Sequence, residues 1–197
     1  MRGLLIAFEG LDQSGKQTQA ERLRDRLVAA GRTVRLLSFP SYETHIGGEI
    51  GRALKGERDY AADTMQVLFV ANRLEWKPEI ERELARGTVI LCDRYLASSI
   101  AYGEAFGLDA QWLGDIQRSL PPPDLTVLLD IEPQVSASRK TTDRDKYERD
   151  LALLARVRAS YLRQAAAPGW LRLDAGRDRD VVAAEVYSVV APLLTSS

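Results

Sequence analysis

Cysteine and histidine are almost missing from this chain of 197 residues, which has one of each, Cys92 and His45. A lone cysteine excludes an internal disulfide and a cysteine zinc cluster. A lone histidine argues against histidine-based metal ligation and a serine–histidine triad. Cys92 therefore reads as a small core residue at a strand end. His45, in a glycine-rich loop beside Gly47 and Gly48, reads as a surface residue. Charge of one sign is lacking as well, with 27 Lys and Arg against 28 Asp and Glu. Non-specific duplex binding draws on a net basic surface, so no nucleic-acid partner is expected. No apolar run approaches a membrane span, so no membrane partner is expected either, and the first hydrophobic stretch is too short for a signal peptide. The cytoplasm is the default compartment. Internal repeats, low-complexity tracts and linkers are absent, and residues 1–197 fit one domain.

What is present begins with Leu4–Gln19, LLIAFEGLDQSGKQTQ. Leu4 to Phe8 is an apolar run suited to a central parallel strand buried on both faces. Gly10 to Lys16 then reads G-x-x-x-x-G-K, and Ala20, Leu23 and Leu27 carry a helical pattern. Strand, glycine loop and helix are the context in which a phosphate-binding loop works. Its backbone N–H groups curl around an anion, the helix N-terminus adds partial positive charge, and Lys16 brings a full charge to the phosphates. The loop Gly10, Leu11, Asp12, Gln13, Ser14, Gly15, Lys16, Gln17 and Thr18 is thus expected to bind a nucleoside triphosphate, ATP as phosphoryl donor. Gln17 stands where the common signature has the Ser or Thr that holds Mg²⁺, so direct magnesium ligation by the loop is not expected from this position.

Further strands are expected at 33–37, 88–92, 125–129 and 170–173. Helices are expected at 46–54, 63–85 with Asp63 as cap, 98–106, 111–120, 135–139, from about 150 to 166, and at 180–194. Five strands alternating with helices imply an α/β fold, a doubly wound parallel sheet flanked by helices. Ligands of such sheets sit beyond the carboxyl ends of the strands.

Four stretches project to that rim: FEGLDQSGKQTQ, FPSY at 39–42, LFVANR at 68–73 and DRYLASSIAY at 93–102. In this order and spacing they resemble thymidylate kinase, which transfers a phosphoryl group from ATP to dTMP, and the resemblance covers roughly Leu4 to Asp150. It implies a P-loop kinase fold with a short lid at about 139–150, Mg²⁺ with ATP, and a homodimer packed through long helices. It also implies small-molecule nucleotide substrates. By resemblance, Phe69 stacks on thymine, Arg73 bonds a base carbonyl, Asp12 and Tyr102 lie near the acceptor sugar, and Phe39, Tyr42 and Ser99 line the same pocket. Arg94 holds the acceptor phosphate. Asp93 either acts on Mg²⁺ through water or orients Arg94. Gln13 occupies the place where some members carry a catalytic arginine, so the lid must supply one, with Arg139 and Arg144 as candidates. Ser41 stands near where many relatives carry an arginine, which shifts more of the acceptor phosphate onto Arg94. Glu9, just before the first loop glycine, either orients Mg²⁺-bound water or caps the loop, and it is left outside the expected site.

The chemistry agrees with this class. A phosphate acceptor is already anionic near neutral pH and needs no strong base. It needs cations, and Lys16, Arg94, Arg139, Lys140, Arg144 and Lys146 supply them. Another monophosphate acceptor such as dUMP, and a non-catalytic ATP-gated switch, remain open at this point. A switch needs no acceptor pocket, which Phe69, Arg73 and Tyr102 suggest.

Overall fold

The computed structural model describes residues 2–139 and 150–194. The expected lid, and Arg144 within it, lies outside the described residues except for Arg139 and Asp150. Five strands form one wholly parallel sheet: β1 (Leu5–Glu9), β2 (Val34–Ser38), β3 (Val89–Asp93), β4 (Leu125–Asp130) and β5 (Trp170–Asp174). The order is β2-β3-β1-β4-β5. β1 is central and all five of its residues are buried, as its unbroken apolar run requires.

Side chains alternate across that strand. Ile6 and Phe8 join Leu23 and Leu27 of α1 (Lys16–Ala29) and Val182, Val186 and Val190 of α8 (Arg179–Leu193). Leu5 and Ala7 face the other way, against Val70, Ile80 and Leu84 of α3 (Ala62–Ala85). Cys92 sits in that second layer, fully buried, where burial pushes its thiol pKa well up. Three further helices pack around α3: α2 (His45–Leu54) and α4 (Leu96–Ala105) lie against it, and α7 (Leu151–Gln164) lies against α4. His45 is exposed at the start of α2.

Two local expectations change. Asp63 does not cap α3: Ala61 is the capping residue, and the Asp63 carboxylate accepts the N–H of Thr64 within the first turn. The helix expected at 111–120 is shorter, α5 (Ala110–Asp115). Beyond it the chain runs on three-residue bonds, Gln117 N–H to Gly114 O, Arg118 N–H to Asp115 O and Leu120 N–H to Gln117 O. Pro121 then disfavours helical geometry at Leu120. The last short helix, α6 (Pro133–Arg139), leads out of β4.

Candidate active site

The loop after β1 is shaped by two glycines. Gly10 has φ 138°, and a Cβ there would lie 2.5 Å from the Leu129 carbonyl oxygen of β4. Gly15, at φ 92°, is the left-handed residue before α1 and meets nothing within 4 Å, so its requirement is conformational alone. Gln13 takes φ 58° without being glycine, as does Arg94 at φ 64°. Backbone strain of this kind clusters where a ligand is held.

Lys16 is the first residue of α1, buried beneath the loop. Its ammonium donates to the Leu11 carbonyl at 2.9 Å and lies 4.0 Å from Asp12. Burial lowers its pKa, Arg94 pushes the same way, and Asp12, Asp93 and Glu9 oppose. Gln17 turns outward and donates to Glu21 at 2.9 Å, so it offers nothing to the loop.

On one side of the loop is a cleft of about 580 Å³. Asp12, Phe39, Tyr42, Phe69, Arg73, Arg94, Ser99 and Tyr102, each expected at the acceptor, line it together with Pro40, Leu54, Gln66 and Ser98. Arg94 donates to Asp12 at 2.7 Å, Ser98 at 3.2 Å, and the hydroxyls of Tyr102 and Tyr161 at 3.3 Å each. Burial works against its charge, but Asp12, Tyr102, Tyr161 and Asp93 outweigh that and hold it cationic.

Arg73 is 3% exposed, so it is no surface ion pair. One nitrogen donates to Ser99 Oγ at 2.7 Å, the guanidinium stands 6.0 Å from the Phe39 ring centre, and its Nε has no partner among the described residues. Burial lowers its pKa. Phe69 is half-buried at the edge of a cluster of Ile50, Ala53, Leu54 and Met65. Phe39 is mostly core, with its ring centre 5.9 Å from that of Tyr95, while Tyr42 is 58% exposed at the mouth.

Sequence reasoning passed over three groups here and left a fourth, Glu9, outside the site. Gln66 is 1% exposed and its Oε1 lacks a partner among the described residues. Its spacing from Phe69 and Arg73, three and seven residues, puts all three on one helix face and was the available signal. Asn72 accepts the Ser41 N–H at 2.7 Å and donates to the Ser41 carbonyl at 3.1 Å, pinning the loop after β2. Tyr161 reaches in from α7, 67 positions from Arg94, with no local pattern to announce it. Glu9 is fully buried and its Oε1 accepts the N–H groups of Tyr95 at 2.7 Å and Ser98 at 3.2 Å. It thereby caps α4, whose own cap residue Tyr95 makes no side-chain bond.

On the other side of the loop a second cleft, about 940 Å³, is lined by Gln13, Ser14, Gly15, Thr18, Gln19, Arg139, Ala175, Arg177 and Arg179, among others. Arg139 donates to the carbonyls of Gln13 at 3.1 Å and Ala175 at 3.2 Å. It therefore bridges the loop and the turn after β5 along this cleft, away from the acceptor side. Gln19 donates to the Arg179 carbonyl at 3.1 Å, tying α1 to the start of α8.

For a metal, the described residues contain no cluster of three or more His, Cys, Asp or Glu side chains. Two buried oxygens, Asp93 Oδ1 and Ser14 Oγ, have no partner among the described residues. That set is too poor for a resident ion. It suits Mg²⁺ arriving with a nucleotide, which keeps phosphate and water as most of its ligands. The two clefts meet at one loop, with Asp12 and Arg94 lining the first and Gln13, Ser14, Gly15 and Thr18 lining the second.

Comparison with known proteins agrees with this geometry. The family model described as thymidylate kinase matches residues 8–186. A probable thymidylate kinase of Pyrobaculum calidifontis is 37% identical over 98% of this chain and 98% of its own length. The Homo sapiens thymidylate kinase is 33% identical over 92% of this chain and 86% of its own. A solved structure of thymidylate kinase from Candida albicans superposes with a TM-score of 0.83 at 31% identity, covering 97% of this chain and 92% of that one.

Proposed function

The chain belongs to the thymidylate kinase family, and from that premise we propose how its residues carry out ATP-dependent phosphorylation of dTMP to dTDP. The acceptor phosphate oxygen attacks the γ-phosphorus of ATP, the bond to the β,γ-bridging oxygen breaks, and ADP leaves. No general base is required, and positioning and charge stabilisation carry the catalysis.

In this reading the acceptor lies in the 580 Å³ cleft. Thymine stacks on Phe69 with Arg73 donating to a carbonyl, and the phosphate reaches Arg94. The cleft's co-assembly of Arg73, Phe69 and Arg94 is the observation that carries it. ATP occupies the opposite cleft with its phosphates over Gly10–Thr18, and Lys16 exchanges the Leu11 carbonyl for phosphate oxygen. Arg139 flanks the donor there, and Arg139 and Arg144 are both kept as candidates for the lid arginine that assists transfer, Arg144 lying outside the described residues. Asp93 Oδ1 and Ser14 Oγ would hold Mg²⁺, directly or through water, and the ion would supply charge neutralisation at the β- and γ-phosphates.

We read residues 1–197 as one kinase domain with a lid at 139–150. Val67 and Leu74, seven apart on α3, remain exposed at 48% and 36%. That face is where we place a homodimer contact, which Leu74→Glu would convert to monomer in sedimentation. The free, buried thiol of Cys92 is in keeping with a reducing cytoplasm. A coupled assay for ADP release with dTMP, dUMP, dCMP and UMP tests the acceptor assignment. Strongest turnover with dTMP supports it; preference for a cytosine nucleotide, or ATP use indifferent to acceptor, rejects it.

A further inference from the structure

Glu9 does more than cap a helix. It is buried without an ion-pair partner among the described residues, and its second oxygen is committed differently from its first. Oε2 accepts two hydroxyl protons, from Ser98 at 2.6 Å and Tyr161 at 3.0 Å. Those hydroxyl oxygens, 2.9 Å apart, keep lone pairs for another donor. The donor is Arg94, whose Nη1 lies 3.2 Å from Ser98 Oγ and 3.3 Å from the Tyr161 hydroxyl. Nη1 carries two N–H groups, one for each oxygen.

The other nitrogen, Nη2, bonds Asp12 and Tyr102, both of which line the acceptor cleft. On Nη1 Arg94 is held by Ser98, in the cleft wall, and by Tyr161, which does not line the cleft; on Nη2 it is held by two groups of the cleft itself. A phosphate that takes the place of Asp12 on Nη2 leaves the Nη1 bonds in place. Burial and the neighbouring Glu9 carboxylate raise the Tyr161 pKa, with Arg94 only partly opposing, so this hydroxyl keeps the proton it gives to Glu9.

We propose that Glu9 is a positioning residue for the acceptor-phosphate arginine, acting through the hydroxyls of Ser98 and Tyr161 as a counter-charge held one hydroxyl away from Arg94. The arrangement has a functional logic. A carboxylate in direct contact would compete with phosphate for the guanidinium, as Asp12 does. One hydroxyl removed, Glu9 fixes the fork and orients both hydroxyl dipoles with oxygen toward the cation. This inference rests on the reading that Arg94 binds the acceptor phosphate.

The test is steady-state kinetics on the full chain, with Arg94→Ala as control for that underlying reading. Glu9→Gln keeps the shape and the acceptor for the two backbone N–H groups. Its amide N–H groups, however, would point at the two hydroxyls and turn their protons onto Nη1, donor against donor. The expected result is a KM for dTMP raised about tenfold with KM for ATP within about twofold, since one charge-assisted network is lost on the acceptor side only. Tyr161→Phe removes one bridge and should raise KM for dTMP about threefold. In the Glu9→Gln background it should add less than about twofold, because the hydroxyl acts through the carboxylate. Equal rises for both substrates together with a lowered melting temperature would mean a purely structural carboxylate and overturn the proposal. So would a folded Tyr161→Phe with unchanged KM for dTMP, and this variant decides the matter if Glu9→Gln does not fold. If Arg94→Ala leaves KM for dTMP unchanged, the acceptor role of Arg94 fails and the positioning role with it. If Arg94→Ala raises it sharply while Glu9→Gln and Tyr161→Phe do nothing, only the positioning role fails.

Discussion

Arg73→Met removes a guanidinium that is 3% exposed, touches Ser99 Oγ at 2.7 Å, and leaves its Nε without a partner among the described residues. Keeping that charge buried costs the empty protein, because desolvation is only partly offset by the Glu9 carboxylate, by one hydroxyl and by the Phe39 ring, whose centre is 6.0 Å away. Methionine fills similar length with apolar atoms, so the variant recovers part of the desolvation while Ser99 loses a bond of about 1 kcal/mol. The two effects nearly cancel, and the melting temperature should stay within about 3 °C of the parent or rise, at roughly 2–4 °C per kcal/mol for a chain this long. Substrate binding has no such compensation. A charge-assisted bond to a thymine carbonyl is worth about 1.5–3 kcal/mol, so kcat/KM for dTMP should fall roughly 10- to 150-fold. Cytosine presents an amino donor where thymine presents a carbonyl, so dCMP loses nothing and the dTMP-over-dCMP preference should shrink by the same factor. The assay is coupled ADP release with both acceptors, beside a thermal melt. Retained discrimination in a folded variant refutes the role of Arg73, and a melting temperature lower by about 10 °C refutes the claim that its charge is kept for the ligand and not for the fold.

Three other outcomes follow from the same geometry. Lys16→Ala should reduce turnover by about 100-fold or more while the far-ultraviolet spectrum stays unchanged, because among the described residues its ammonium contacts the loop's own Leu11 carbonyl and Asp12. Arg139→Ala should weaken ATP more than dTMP, since it touches Gln13 and Ala175 on the donor side; Arg144→Ala should lower kcat more than either KM, and unchanged kinetics in the double variant would reject the lid assignment. Asp130 is 8% exposed and accepts from Arg158 at 2.7 Å and Arg172 at 2.7 Å, and although burial alone would raise its pKa, these two arginines bring it below the ordinary value. Its stabilisation is present above the unfolded carboxylate value of about 3.9 and is lost as pH falls through the lower folded value. Asp130→Asn should thus cost about 1–3 kcal/mol at pH 7, discounted for the 56% exposure of Arg172, and much less near pH 2, as melts at the two pH values would show.

Most of this site was legible because its parts carry local signatures. The strand–glycine–lysine run carries the loop's signature, and Phe69 and Arg73 stand one turn apart on a helix whose end the pattern found and whose cap it placed two residues late. What stayed hidden has no local spacing. Glu9 meets Tyr161 across 152 positions, and a glutamate before a glycine loop reads as easily for solvent or metal as for a helix cap. Gln66 drew no reading from the sequence, and it becomes a site residue only because the fold closes Leu54 and Phe69 around the same cleft. Arg139, a lid candidate by resemblance, lands on carbonyls of two separate loops, contacts between distant segments that its own stretch of sequence does not announce. The last five residues of the helix expected at 111–120 were lost to short-range turns and the prolines at 121–123, whose effect begins one residue before them.

The central claim is that the two clefts flank one loop so that the γ-phosphoryl of ATP passes to dTMP. Its most direct measurement is single-turnover transfer of label from [γ-³²P]ATP by the intact protein with Mg²⁺ and dTMP, products separated by chromatography. The account predicts label in dTDP, abolished in Lys16→Ala and strongly reduced in Arg94→Ala. Label released only as inorganic phosphate, or appearing in dTDP undiminished in the Lys16→Ala protein, would contradict it.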